Sequence, residues 1–445
     1  MTPRPPLPGG PYLVVGLARS GIAAALALRA RGETVIGVDA GAPDVGRLAA
    51  EGVEVHLDDQ GVQLLDRVAT LVKSPGVPHT APLVEAARAR GIALVGELEL
   101  AWRMLPNDFI AVTGTNGKTT TTELIGHVHR EAGLPVAVAG NVGTAVASLV
   151  GDLDPEATIV CEASSFQLED TVAFAPEAAV LLNLTADRLD RHGSLVAYRE
   201  AKLNVFRRQD PAAVAVVPHA LGVELPGSAQ RVTFGDAPDA DVAYDAASGE
   251  IAWRGEPFMT ADEIRLPGPH NRENAMAAAA VTLARGVDPG AVRAGLRSFR
   301  GVAHRLEPVA EVDGVAYVND SKATNVDSTL VALRSFPADP RPRVHLVAGG
   351  RTKAQDFAPL APLVAERCAT VQLIGEGAGE IAAALGSASV PLCDAGDLER
   401  ALAAARAAAR PGDVVLLSPA CASFDQYPDF EARGEHFRAL VEALR

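Results

Sequence analysis

The stretch FIAVTGTNGKTTTT, residues 109–122, decides how the rest of the chain is read. An apolar run delivers the backbone to Gly114, and Gly117 lets it turn close to a ligand. Amide N–H groups and the positive end of the following helix then face an anion. Lys118 supplies a cation for the β- and γ-phosphates of a nucleotide, and Thr119 or Thr120 a hydroxyl for Mg²⁺. The strict phosphate-loop pattern, GxxxxGK followed by Ser or Thr, needs glycine at 112, where this chain has Val112. The loop is therefore a variant. The bland alternative is a Gly/Thr turn with a solvated lysine, and the strand before and helix after the GKTT core weigh against it.

Outward from this loop the same rhythm repeats. PVAVAGN, TIVCEAS and AAVLLNL are short apolar strands ending in polar residues, which places chemistry at the carboxyl ends of a parallel sheet. Upstream, YLVVG, TVIGVD, VEVHL, TLVKSPG and IALVG alternate with helical segments such as SGIAAALALRARG, which ends at Gly32. Residues 221–268 are looser and read as short strands or loops, before the Ala-rich helix ENAMAAAAVTLARG. Downstream, GVAYVND, RVHLVAGG, TVQLIG and DVVLLSPA are strands separated by helices. The parse gives an α/β chain of three domains. They are a Rossmann-like N-terminal domain (1–97), a central P-loop ATPase-like parallel sheet (98–301) and a Rossmann-like C-terminal domain (302–445).

Composition agrees and excludes other classes. The chain has 445 residues, and at roughly 150 per domain that also suggests three. The net charge of −15 argues against broad nucleic-acid binding, which needs cationic surface. With 48% apolar and 21% charged residues it reads as a packed globular protein. No apolar run is long enough for a membrane span, and MTPRPPLPGG lacks the apolar core of a signal peptide. Cys161, Cys368, Cys393 and Cys421 are scattered, which disfavours a zinc site or disulfide framework and fits a reducing cytoplasm. In the first turn, GLARSG imitates GxGxxG with the middle glycine replaced by Ala18, and Asp39 lies near where a ribose-binding acid would sit. A bound dinucleotide and a tight turn with no dinucleotide both remain open from these residues.

Further segments make the phosphate loop specific. GNVG (140–143), EASSFQLE (162–169), DRLDRHGS (187–194), YREAK (198–202), PHNREN (269–274), AHRLE (303–307) and NDSKATN (319–325) follow TGTNGKTT in order. Together they resemble the Mur ligases of bacterial cell-wall synthesis. Within that family, NDSKATN and SPACASFDQYPDFEARGEHF (418–437) are similar to the members that add D-glutamate. Sister ligases carry DYAH or DDAYNANP after the linker, and the folylpolyglutamate relatives DGAHNP.

The resemblance implies ATP-dependent amide formation. UDP-N-acetylmuramoyl-L-alanine would be activated as an acyl phosphate and attacked by D-glutamate, with ATP and Mg²⁺ as cofactors, in a cytoplasmic monomer that neither binds nucleic acid nor inserts into a membrane. It assigns Gly114, Thr115, Asn116, Gly117, Lys118, Thr119 and Thr120 to the ATP phosphates, and Asn271, Asn274, Arg305 and Asp320 to the nucleotide. Thr119 and Glu162 would hold Mg²⁺, joined by Lys202 once carbamylated, which turns that cation into an anionic oxygen ligand. Arg19, Ser20, Asp39, Ser74, Gly76 and Asn141 would bind the UDP substrate. Thr324, Lys353, Ser423 and Phe430 would bind D-glutamate. Each has a plainer alternative: Glu162 as a surface acid at a strand end, Lys202 as an exposed helical lysine, Asn271 and Asn274 as a helix cap, Arg305 and Asp320 as an interdomain ion pair.

One departure stands out. The family commonly reads DHxDR where this chain has Asp187-Arg188-Leu189-Asp190-Arg191. The family's histidine helps hold a second Mg²⁺. Arg188 cannot, because a guanidinium has no acceptor lone pair. A weakened or missing second metal is expected, with the Arg188 cation taking part of its role beside the transferred phosphate. His192 matches a different family position. Counting Mg²⁺ bound in the complex with an ATP analogue tests this: one tight equivalent is expected, and two full sites with Arg188 far from phosphate would contradict it.

Overall fold

In a computed structural model the chain forms two compact units, Met1–Phe299 and Arg300–Arg445. The structure describes residues 4–445 except 142, 185–191, 193, 267, 337, 339, 353–354 and 387. Arg188 and Lys353, both singled out from the sequence, lie outside the described residues.

The first unit holds two sheets. The N-terminal one comprises β1 (Tyr12–Val15), β2 (Val35–Val38), β3 (Glu54–His56), β4 (Thr70–Lys73) and β5 (Ala93–Gly96), in the order β3-β2-β1-β4-β5. All its pairings are parallel. The order reverses at β1, so a crevice opens beyond its carboxyl end, where a Rossmann-like sheet places its ligand. Four consecutive buried residues in each of β1, β2 and β4 show a sheet covered on both faces.

The central sheet has β6 (Phe109–Thr113), β7 (Val136–Gly140), β8 (Thr158–Glu162), β9 (Ala178–Leu181) and β10 (Val214–Pro218). The looser stretch adds β11 (Gln230–Gly235), β12 (Val242–Tyr244), β13 (Glu250–Trp253) and β14 (Glu256–Thr260). The order is β14-β13-β12-β11-β10-β9-β6-β8-β7. Strands β6 to β12 pair in parallel, while β12–β13 and β13–β14 are antiparallel. The fully buried β6 lies between β8 and β9, so the carboxyl ends of three strands converge where the phosphate loop leaves the sheet. One apolar core runs through both sheets, from Tyr12 and Val72 to Trp102, Phe109, Phe174 and Val217. Trp102 and Phe109 both meet the Phe174 ring edge-on, at 5.7 and 6.1 Å.

The second unit carries β15 (Glu307–Val312), β16 (Val315–Asn319), β17 (Val344–Gly349), β18 (Cys368–Ile374), β19 (Leu392–Gly396) and β20 (Val414–Leu417). Their order is β15-β16-β20-β17-β18-β19, parallel except for the β15–β16 hairpin. Separate apolar clusters cover its two faces. No helix among the described residues is long and apolar enough to cross a membrane.

Gly21, in the helix Arg19–Ala30, shows why the GLARSG turn keeps its last glycine. A Cβ there would come within 1.9 Å of the Gly16 carbonyl oxygen. Gly21→Ala is expected to cost about 2 kcal/mol through overpacking. Urea denaturation measures it, and a wild-type midpoint would contradict this close approach.

Candidate active site

The turn after β6 is built as the sequence implies. Gly117 takes φ +83° at the head of the helix Lys118–Glu131, whose cap position carries no side-chain cap bond among the described residues. A Cβ at Gly117 would lie 2.2 Å from Asn274 Oδ1, so only glycine lets the loop meet that side chain. The loop is braced from β9: Asn116 N–H donates to Asn183 Oδ1 at 2.9 Å, and Asn183 Nδ2 returns a bond to the Asn116 carbonyl at 3.2 Å. Tyr198 OH donates to Thr115 Oγ1 at 3.1 Å.

Two lysines converge here. Lys118 Nζ donates to the carbonyls of Gly114 and Thr115, each at 3.0 Å. Lys202, from the helix Leu195–Leu203, donates to the same Gly114 carbonyl at 2.7 Å and lies 4.6 Å from the centre of the Tyr198 ring. Lys202 is 2% exposed, so it is not a solvated helical lysine.

Glu162, at the end of β8, is 3% exposed rather than a surface acid. Its Oε2 accepts from Thr119 Oγ1 at 2.6 Å and its Oε1 from Asn141 Nδ2 at 3.1 Å. Both partners are neutral, and among the described residues no lysine, arginine or histidine is bonded to it. A buried carboxylate with neutral partners calls for a cation. Its oxygens and the Thr119 hydroxyl are hard donors suited to Mg²⁺. Of the two threonines the sequence left open, Thr119 is the one bonded to Glu162; Thr120 is half-buried on the same helix.

Asn271 and Asn274 do not cap their helix. The cap position of Pro269–Ala284 is Gly268, with no side-chain bond, and Asn274 Nδ2 donates to Asn271 Oδ1 at 3.3 Å. Asn274 thus faces the glycine turn.

A cavity of about 710 Å³ opens above β1 and β4. Arg19, Ser20, Asp39, Ser74, Gly76 and Asn141, all singled out from the sequence, line it together. Asp39 is partly committed to its own turn, accepting from Leu17 N–H at 2.6 Å and Gly41 N–H at 2.8 Å. Ser74 Oγ donates to the Gly16 carbonyl at 2.6 Å. A second cavity, of about 820 Å³, is lined by none of the predicted residues.

Sequence reasoning missed the ion cluster beside this cavity. Lys73 Nζ meets Asp170 Oδ2 at 2.8 Å with both side chains buried, and His79 Nε2 lies 3.1 Å from Glu169 and from Asp170. Hydrogen bonds to Asp170 and then Glu169 push His79 up to about 9 against the pull of burial. Glu169 also reaches His192 Nδ1 at 3.5 Å, while His192 Nε2 meets Ser165 Oγ at 2.9 Å and its ring stacks on Phe166. The cations already present make this an internal ion-pair network. Tyr198 and Asn183 were also missed. The signal for Asn183 was a polar residue ending the apolar run AAVLLN.

In the second unit, Asp320 follows β16. Its Oδ2 accepts from Ser418 Oγ at 2.8 Å and its Oδ1 from Leu306 N–H at 3.1 Å. Burial pushes its carboxyl up to about 7, opposed by Ser418, Leu306 and the charge of Arg305. Arg305 and Asp320 belong to the same unit, so an ion pair between them would not be interdomain. Thr324 is the last residue but one of the NDSKATN segment. Buried Ser423 receives the backbone N–H groups of Gln426 and Tyr427 on its carbonyl, and Phe430 opens the last helix.

Family models match three stretches: a Mur ligase MurD-like N-terminal domain over residues 11–96, a Mur ligase middle domain over 112–282 and a Mur ligase glutamate ligase domain over 304–421. The chain is similar to the UDP-N-acetylmuramoylalanine--D-glutamate ligase of Pelotomaculum thermopropionicum, 41% identical with 97% of each chain covered. It is similar also to the protein of that name from Acidobacterium capsulatum, 42% identical over 99% of this chain and 97% of the relative. Among solved structures it shares its fold with the UDP-N-acetylmuramate-alanine ligase MurC of Thermotoga maritima. That match has a TM-score of 0.59 at 19% identity, covering 98% of this chain and 100% of the other.

The raised Asp320 carboxyl has a measurable sign. It binds its proton more tightly folded than unfolded, where the value is about 3.9. Between there and about 7, the folded chain therefore loses stability from this group as pH rises. Asp320→Asn is expected to flatten that part of the stability–pH curve; identical slopes for the two proteins would contradict the assignment.

Proposed function

The chain belongs to the Mur ligase family and is an ATP-dependent ligase that adds D-glutamate in peptidoglycan-precursor synthesis; from that premise we propose how its own residues carry the reaction. The acceptor is UDP-N-acetylmuramoyl-L-alanine. Its terminal carboxylate attacks the γ-phosphorus of ATP, ADP leaves, and an acyl phosphate remains. The amine of D-glutamate attacks the acyl carbon, the tetrahedral adduct collapses, phosphate departs, and the amine gives up a proton.

The observation that carries this reading is the glycine turn at the head of the helix Lys118–Glu131, with Lys118 on the Gly114 and Thr115 carbonyls and buried Glu162 bonded to Thr119. Cations and oriented N–H groups fixed in advance stabilise charge as it shifts along the phosphate chain. Lys118 holds the β- and γ-phosphates, and Gly114 to Thr120 wrap them. Asn271 and Asn274 hold the nucleotide from the central domain. Arg305 and Asp320 serve it from the C-terminal domain. Glu162 and Thr119 would hold Mg²⁺, which would supply charge neutralisation of the phosphates. Lys202, once carbamylated, would add an oxygen to that set. Arg188 offers a cation where relatives have a histidine.

The six residues around the 710 Å³ cavity hold the UDP substrate. Arg19 and Ser20, at a helix N-terminus, suit its diphosphate. Thr324, Lys353, Ser423 and Phe430 form the D-glutamate subsite, with Lys353 paired to a carboxylate. The protein acts in the cytoplasm as a monomer.

The test is phosphate release with ATP, Mg²⁺ and UDP-N-acetylmuramoyl-L-alanine across a panel of amino acids. Turnover is expected with D-glutamate and background release with L-glutamate or diaminopimelate. Glu162→Gln is expected to lower kcat at least a hundredfold, as loss of a charge-stabilising group does. Turnover with diaminopimelate alone would overturn the D-glutamate assignment.

A further inference from the structure

Arg433 lies in the first turn of the helix Phe430–Glu442 and is 1% exposed. Its Nε donates to Ser321 Oγ at 3.0 Å, and its Nη2 to the carbonyls of Ser321 and Cys421 at 2.9 and 3.2 Å. Ser321 Oγ in turn donates to the Phe430 carbonyl at 2.8 Å. One guanidinium thus ties together the segment that bears Thr324, the segment that continues to Ser423, and the helix that begins at Phe430.

These bonds leave one nitrogen over. Arg433 Nη1 is buried and has no hydrogen-bond partner among the described residues. It lies under the turn that follows β17: a Cβ built on Gly350, whose φ is +130°, would fall 3.2 Å from Nη1 and 2.2 Å from the Ala422 carbonyl oxygen. That turn leads to Lys353. Burial lowers the Arg433 pKa to about 10, which still leaves it charged near neutral pH. No carboxylate among the described residues is hydrogen-bonded to it; Asp425 acts on it only through its charge. An uncompensated buried cation costs several kcal/mol, and proteins ordinarily pair one with an acid. A purely structural strut would account for Nε and Nη2 but not for the spare donor or the missing acid.

We propose that Arg433 is a specificity-determining positioning residue of the amino-acid subsite. It fixes the segments that bear Thr324, Ser423 and Phe430, and its buried charge favours an incoming amino acid with a second carboxylate. The inference rests on the D-glutamate reading above. It places the balancing anion of this cation on the substrate rather than on the protein.

Steady-state kinetics on Arg433→Lys, Arg433→Gln and Ser321→Ala test it, with thermal unfolding run alongside. Lysine keeps the charge and loses the fork, so KM for D-glutamate is expected to rise about tenfold, the equivalent of one good charged hydrogen bond. Glutamine loses both, and a rise of about a hundredfold is expected, with the preference for D-glutamate over D-glutamine narrowed in this variant alone. Ser321→Ala, which leaves the guanidinium in place, is expected to raise KM for D-glutamate a few-fold. KM for ATP and for the UDP substrate should stay within about twofold throughout. If Arg433→Gln fails to fold, the lysine and Ser321→Ala variants carry the test. Rises in all three KM values together, or no change for D-glutamate in any folded variant, would overturn the proposal. Absence of D-glutamate-dependent phosphate release in the wild type would overturn the ligase reading first, which keeps the two failures apart.

Discussion

Two ammonium groups share one carbonyl oxygen. Lys118 and Lys202 both donate to Gly114, so their nitrogens lie less than about 6 Å apart. At an effective dielectric near 20 that proximity costs about 3 kcal/mol of repulsion. The fold holds them there by burying β6 between β8 and β9, turning at Gly114 and Gly117, and bringing Lys202 in on a separate helix. Beside them, Glu162 is buried with a hydroxyl and an amide for company and offers the opposite sign. The glycine turn thus gathers two lysines and a buried acid around the head of one helix.

Much of this was legible in the sequence because backbone geometry and chemistry coincide there. Glycines 114 and 117 must turn, a lysine and threonines must follow, and strand ends must carry polar residues. What the sequence could not show was burial. Lys202 reads as one more cation on a polar helix, and only the packing of that helix against the glycine turn buries it. Asn183 and Tyr198 were hidden for a similar reason: each acts through a bond to the phosphate loop made across the fold. Arg433 sits in a charged run, EARGEHFR, where nothing local distinguishes it from its exposed neighbours. The order of β11 to β14 was invisible because short strands in a Gly- and Asp-rich stretch carry little periodicity.

The first turn of the chain shows the opposite case, where a motif persists and its chemistry shifts. GLARSG keeps the glycine that turns and the glycine that packs, but Ala18 replaces the one through which a dinucleotide approaches the backbone. Asp39, where a ribose-binding acid would sit, bonds to Leu17 and Gly41 of its own framework while still facing the cavity. The same crevice of a doubly wound sheet is where we propose that the UDP substrate binds. A continuous apolar core joins this domain to the central one.

The central claim is that the substrate carboxylate takes the γ-phosphoryl group before the amine arrives. UDP-N-acetylmuramoyl-L-alanine labelled with heavy oxygen in its terminal carboxylate tests it, with the released phosphate read by phosphorus NMR. The account predicts one labelled oxygen in each phosphate formed with D-glutamate. Phosphate carrying no labelled oxygen, alongside normal product, would contradict it.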